Sequence, residues 1–280
     1  MKTNDRPLTD LMNAVDTGAA QLPDFQRGWV WDDGRIRALI LSVIHNFPVG
    51  AAMFLEYGNE SIHFKHKPIE GSGANPNTEP DELILDGQQR LTSLYNALYS
   101  KNPVHTKTDK GKEIDRYYYL DIEKALDPSA DDEEVVVSIP ASRQVTSDFG
   151  RKIEKDLSTR QDEFRLKMFP LNIILNSSEE QGWQNEYYAY YNYDPAIIRQ
   201  FTDLFSKIIM PTQKYAMPVI LLDKETPKEA VCQVFENVNT GGVSLTVFEL
   251  VTAIFAMDDF PLRKDWEERK EKYFSGDLLN

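Results

Sequence analysis

Basic residues, cysteine and long apolar runs are all scarce in this sequence. Its 280 residues hold 31 Lys+Arg against 45 Asp+Glu, a formal net charge of −14, which excludes a polyanion binder that works by bulk charge. A single cysteine, Cys232, excludes an intrachain disulfide. No run of about 18 apolar residues occurs, so nothing reads as a helical membrane span. The opening MKTNDRPLTDLMNAV has no apolar stretch of the secretory type, and a cytoplasmic protein is expected. Histidines number four; His63 and His66 fall in an expected strand, pointing to opposite faces without a cysteine nearby, so zinc is not expected. No GxxxxGK[ST] phosphate loop is present. Against these absences stand 41% hydrophobic and 11% aromatic residues, enough for a substantial core and too many for wholesale disorder.

Hydrophobic periodicity orders the chain. Leu8, Leu11, Met12 and Val15 predict a helix that Gly18 ends, before an extended Gln21 to Arg27. Ile36, Leu39, Ile40, Val43 and Ile44 share one stripe of a second helix, closed by Pro48. Gly50 to Tyr57 reads as a buried strand and Ser61 to Lys65 as an alternating one. Pro68 to Pro80 reads as an exposed loop. Glu82 to Asp86 is a strand that runs through Gly87-Gln-Gln-Arg90 into a helix carrying Leu91, Leu94 and Leu98. Strands are expected at Tyr117 to Ile122 and Glu134 to Pro140, a polar helical stretch from Asp148 to Lys167, and a tyrosine-rich helix from Trp183 to Phe205. Ala216 to Leu222 is a strand. Thr226-x-x-Glu229 and Thr246-x-x-Glu249 are capping boxes whose helices bracket Asn239-Thr-Gly-Gly242. A charged helix from Arg263 stops at Gly276, and a further domain is expected beyond it. The order reads as an α+β fold.

Chemistry concentrates at Asp86-Gly-Gln-Gln-Arg90. A strand end exposes side chains, the following helix N-terminus offers N–H groups to an anion, and Arg90 carries a fork suited to phosphate. Asp86 can hold Mg²⁺ or position a water, and Gln88 and Gln89 can donate to phosphate oxygens or a base edge. A plain capping turn explains the same residues equally well. Arg27 lies among aromatics in Phe25-Gln-Arg-Gly-Trp-Val-Trp31 and needs a buried or ligand-borne partner; Trp29 and Trp31 read first as core anchors and second as base-stacking platforms. Asn239, Thr240 and Gly241 suit a sugar or phosphate wall, or a helix C-cap. Cys232 reads as a packing residue, as do the tyrosines from Tyr187 to Tyr193 with their acidic neighbours Glu186 and Asp194.

Four segments, Phe25-Gln-Arg-Gly-Trp-Val-Trp, Ser42-Val-Ile-His-Asn-Phe-Pro-Val-Gly, Leu85-Asp-Gly-Gln-Gln-Arg-Leu-Thr-Ser-Leu and Phe235-Glu-Asn-Val-Asn-Thr-Gly-Gly-Val-Ser-Leu, together resemble the N-terminal domain of GmrSD-type modification-dependent restriction enzymes. That domain also occurs in SspE-type phosphorothioation-linked defence proteins. The resemblance spans roughly residues 5 to 258. It implies a core similar to the ParB and sulfiredoxin fold, formed by residues 1–100 and 215–258, with an insertion at 101–214 and a helical linker beginning at 259–280. It implies a nucleoside triphosphate with Mg²⁺ at Asp86, Gly87, Gln88, Gln89 and Arg90, with Arg27 and Asn239, and Thr240 and Gly241 beside it, as supporting walls. Asp86, Arg90 and Arg27 would then be the catalytic residues of a nucleotide-hydrolysing regulatory domain in an anti-phage restriction protein. Its implied partners are DNA, including modified phage DNA, and a C-terminal HNH-type nuclease domain; pairing with a second copy of the chain is left open. The alternatives are a non-catalytic sensor of modified DNA and, more weakly, a ParB-like nuclease.

Overall fold

The computed structural model describes residues 2–58, 62, 64–148, 151–227, 230–231, 252, 255, 260 and 262–274. Its first sheet takes strands from both ends of that range: β1 (Lys2–Pro7), β2 (Ala20–Pro23), β3 (Ala52–Glu56), β4 (His66–Lys67), β5 (Glu82–Asp86) and, much later, Ala216–Leu222. The spatial order is β1, Ala216–Leu222, β3, β5, β2, β4. The late strand runs parallel to β3 and antiparallel to β1, and β2 runs parallel to β5.

Three helices cover this sheet. In α1 (Leu8–Thr17) the residues Leu8, Leu11, Met12 and Val15 are buried, and Gly18, at φ +81°, closes the helix by donating to the Val15 carbonyl. A side chain there would be strained, which is why the stop is a glycine. In α2 (Asp33–Ile44) the Asp32 side chain caps the first turn by accepting from Arg35 N at 2.9 Å, and the five expected apolar residues are all buried. The helix α3 (Gln88–Leu98) is enclosed nearly all round, with Leu91 through Leu98 buried without a break. Its inward polar residues are therefore obliged to find partners.

Residues 104–170 form a second sheet. Its centre is β6 (Val104–Lys107) and β7 (Glu113–Asp121), flanked by β8 (Val136–Pro140) on the other edge of β7. A hairpin of β9 (Gln144–Ser147) and β10 (Lys152–Asp156) follows, then β11 (Met168–Pro170), which pairs with the end of β7. Helices at Ser177–Tyr190 and Pro195–Leu204 complete the region. One cluster of buried residues runs from Leu8 and Ile40 through Leu120 to Phe169, Trp183 and Phe201, so the two sheets share a core. The fold is α+β.

Three expectations change, at 61–65, at 148–167 and among the tyrosines, and one strand was not expected at all. The polar run Lys2–Pro7 is a strand because it pairs along its whole length with Ala216–Leu222. Ile62, Phe64 and Lys65 are not in a strand; Ile62 and Phe64 are buried against Phe25, and only His66–Lys67 pairs. The stretch 148–167 is largely the β10 strand plus a short helix, Arg160–Arg165. The loop from Pro68 to Pro80 is largely exposed as expected, and it is anchored: Ile69 is buried, and the Thr78 carbonyl accepts from the buried Gln21 amide at 2.7 Å. Of the tyrosine-rich segment, Tyr187 is core, whereas Tyr190 and Tyr193 are exposed.

Candidate functional site

The turn between β5 and α3 brings three of the four sequence segments together. Gly87 adopts φ +90° and opens α3 with no side-chain cap and no acidic residue in the first turn. A Cβ at Gly87 would lie 3.2 Å from that of Ala52 on the neighbouring strand, so a glycine is needed both for the backbone and for the close approach. Asp86, at the strand end, keeps 36% of its side chain exposed, and Arg90 keeps 18%.

Arg90 is already engaged. Its Nη1 donates to the Val49 carbonyl at 2.7 Å, and its Nη2 to the Ala51 carbonyl at 2.9 Å and to Asp86 Oδ2 at 3.2 Å. The guanidinium thereby stitches the Pro48 to Ala51 approach of β3 to the start of α3. Gly50, at φ +88°, makes room for it: a Cβ there would stand 2.7 Å from Arg90 Nη1.

The two glutamines face a different neighbour. Gln88, buried, donates from Nε2 to the Arg27 carbonyl at 2.6 Å. Gln89 uses both ends of its amide, donating to the Gly28 carbonyl at 3.2 Å and accepting from Val30 N at 2.9 Å. Their work in this structure is to hold the backbone of Arg27 to Val30 against the helix N-terminus. Gln26 reinforces the grip by donating to the Ile84 and Leu85 carbonyls at 2.7 and 3.2 Å. The half-buried Trp29 packs on the main core and donates from its indole to Ser93 Oγ at 3.0 Å, and Trp31 packs there too. Both tryptophans are thus core anchors rather than open platforms.

Arg27 is half-buried beside this turn. Asn239, Thr240 and Gly241, with Cys232 and most of both helices that bracket them, lie outside the described residues. Sequence reading missed Gln26 and the Val49 and Ala51 carbonyls. Gln26 sits next to Arg27 in the same segment, but no periodicity marks a buried amide whose partners are about 58 residues away.

Among the described residues, no three of His, Cys, Asp and Glu group as a metal cage. No described helix is long and apolar enough to cross a membrane.

Residues 8–256 match the family model described as the GmrSD restriction endonuclease, N-terminal domain. The chain belongs to that family. A relative of Methanocaldococcus jannaschii, the uncharacterized protein MJ0686, is 29% identical over 288 aligned residues, which cover 97% of this chain and 46% of the relative. The chain thus spans about half the length of that protein. The GmrSD family places this chain among restriction-system domains.

Proposed function

We propose that this GmrSD N-terminal domain binds and hydrolyses a nucleoside triphosphate, and that turnover regulates a restriction protein in anti-phage defence. The observation that carries this is the start of α3: a helix N-terminus at the end of a buried strand, opened by a left-handed glycine with no side-chain cap among the described residues, beside the ion pair of Asp86 and Arg90. Uncapped first-turn N–H groups and the positive end of the helix dipole attract phosphate. A strand end in an α/β arrangement is where such ligands collect. On this reading the core is ParB-like.

The chain's residues fit Mg²⁺ only as a companion of the phosphates, since Mg²⁺ in such sites takes one or two carboxylates and completes its shell with phosphate and water. Asp86 is the carboxylate that the turn itself supplies. When bound, Mg²⁺ would neutralise phosphate charge. Asp86, held by Arg90, orients the incoming water. Gln88 and Gln89 fix the Arg27 segment beside the phosphates, and the cation of Arg27 offsets charge that builds up during transfer. Modified phage DNA and an HNH-type nuclease domain elsewhere in a full-length protein are the partners this reading supplies.

Calorimetric titration of ATP, GTP and CTP with Mg²⁺ into the wild-type chain and Arg90→Ala, followed by phosphate release, tests it. Loss of binding in the variant is expected, because Arg90 holds the start of α3 and Asp86 in place, and any residual turnover should fall by more than about tenfold. Because Arg90 also stitches β3 to α3, Asp86→Asn is the companion variant, expected to bind nucleotide and to lose hydrolysis. Absence of any nucleotide binding by wild-type protein overturns the proposal and leaves the modified-DNA sensor.

A further inference from the structure

The opposite end of α3 carries a cavity of about 360 Å³, lined by Asp16, Gly73, Tyr95, Tyr99, Asn102 and Asn172 among others. It stands roughly 15 Å from the Gly87 turn, at 1.5 Å per helical residue. The last turns of two helices reach it: Asp16 from α1, and Tyr95 and Leu98 from α3. A helix C-terminus carries partial negative charge from its unpaired carbonyls and ordinarily ends in Lys, Arg or His. Neither helix has a basic residue in its last turn. α1 instead places a carboxylate there.

Asp16 is half-buried and accepts a hydrogen bond from the Tyr95 hydroxyl at 2.6 Å. It pairs with no cation among the described residues. The cation nearest to hand, Lys101, lines the cavity but is held by Glu179 and by the Asn172 carbonyl. The remaining walls are neutral amides and the rings of Tyr95 and Tyr99, stacked 5.5 Å apart. The glycine-rich wall is not adjustable: Gly71 has φ +84°, and a Cβ there would lie 2.0 Å from Asn96 Oδ1. Between it and Gly73, the buried Ser72 hydroxyl has no hydrogen-bond partner among the described residues.

A carboxylate, two negative helix ends, acceptor amides and tyrosine rings are the chemistry that recognises an organic ammonium group. We infer that this cavity is a second ligand site, independent of the nucleotide reading, that takes a small organic amine with its ammonium on Asp16. A cavity of this size accommodates a linear diamine. The long-range field of an acidic chain raises the local concentration of such cations.

The experiment is titration of putrescine, with uncharged 1,4-butanediol as control, into ¹⁵N-labelled wild-type chain, Asp16→Asn and Asn102→Asp. Putrescine is expected to shift the side-chain amides of Asn102 and Asn172 with saturation in the millimolar range or tighter, and butanediol is expected to shift neither. Asp16→Asn keeps an acceptor for Tyr95 and is expected to weaken binding by about tenfold. Asn102→Asp adds a carboxylate at the exposed rim and is expected to tighten it by roughly threefold, an arm that stands if Asp16→Asn does not fold. Equal binding by all three forms would mean general attraction to an acidic surface and would overturn the site, as would no saturation by about 10 mM.

Discussion

The two ends of α3 are built on opposite plans. At its N-terminal end every long polar side chain already holds a neighbouring backbone: Gln88 and Gln89 hold residues 27 to 30, and Arg90 holds Val49 and Ala51. At its C-terminal end a cavity opens, and its carboxylate, Asp16, meets a tyrosine hydroxyl and no cation among the described residues. The first end is fastened because carbonyls of two chain segments converge on donors of one helical turn. The second is open because two helix termini meet there without the basic residues that would close it. A motif rich in glutamine and arginine can thus be chiefly a clamp that pre-organises a site, leaving the backbone N–H groups and Asp86 as the parts that meet a ligand.

The contrast can be broken from either end. The largest effect is expected for Gly71→Ala, which forces a Cβ onto Asn96 Oδ1 at 2.0 Å in a left-handed backbone; a loss of about 3 kcal/mol or more is anticipated from urea unfolding, since both strain and clash act. An unchanged midpoint would show that the open end is adjustable after all. Next, Gln88→Leu removes the buried donor to the Arg27 carbonyl and is expected to cost about 1 to 2 kcal/mol. Amide exchange at Gly28 to Val30 should rise with it, and unaltered protection would mean that the rigid end does not depend on this clamp.

The smallest effect sharpens what a buried carboxylate costs away from α3. Glu163 accepts from the Trp183 indole at 3.0 Å and from the Tyr119 hydroxyl at 3.3 Å. Burial raises its pKa above the ordinary value, against the pull of Trp183, Arg160 and Arg143. An acid with a raised folded pKa contributes stability that is present below its unfolded pKa and lost as pH rises through the folded one. Glu163→Gln should therefore gain on wild type as pH rises past the ordinary carboxylate range, read from urea unfolding at a series of pH values. A gain that shrinks with rising pH would reverse the assignment.

How much was legible follows from where each partner lies. The helices α1 and α2, the strand Glu82–Asp86, the start of α3 and the strand Ala216–Leu222 could be read directly, because each is marked by its own apolar spacing and stop residues. Lys2–Pro7 could not: it is polar, and it is a strand only because a segment more than 200 residues away supplies its ladder. The hairpin of β9 and β10 likewise takes its form from pairing rather than from periodicity. At the candidate site the motif and its position at a strand-to-helix turn were visible in sequence. The destination of its side chains was not, since their partners are main-chain carbonyls about 40 to 60 residues away, and any residue type supplies a carbonyl.

The amino-acid sequence by itself determined the α+β class, the family, the glycine turn that opens α3 and an acidic chain that does not bind polyanions by bulk charge. Tertiary structure alone decided that Gln88, Gln89 and Arg90 clamp neighbouring segments, and that Asp16 faces a cavity where two helices end. Periodicity and turn residues act within a few positions, whereas hydrogen bonds between buried groups and cavities arise from segments that only folding brings together.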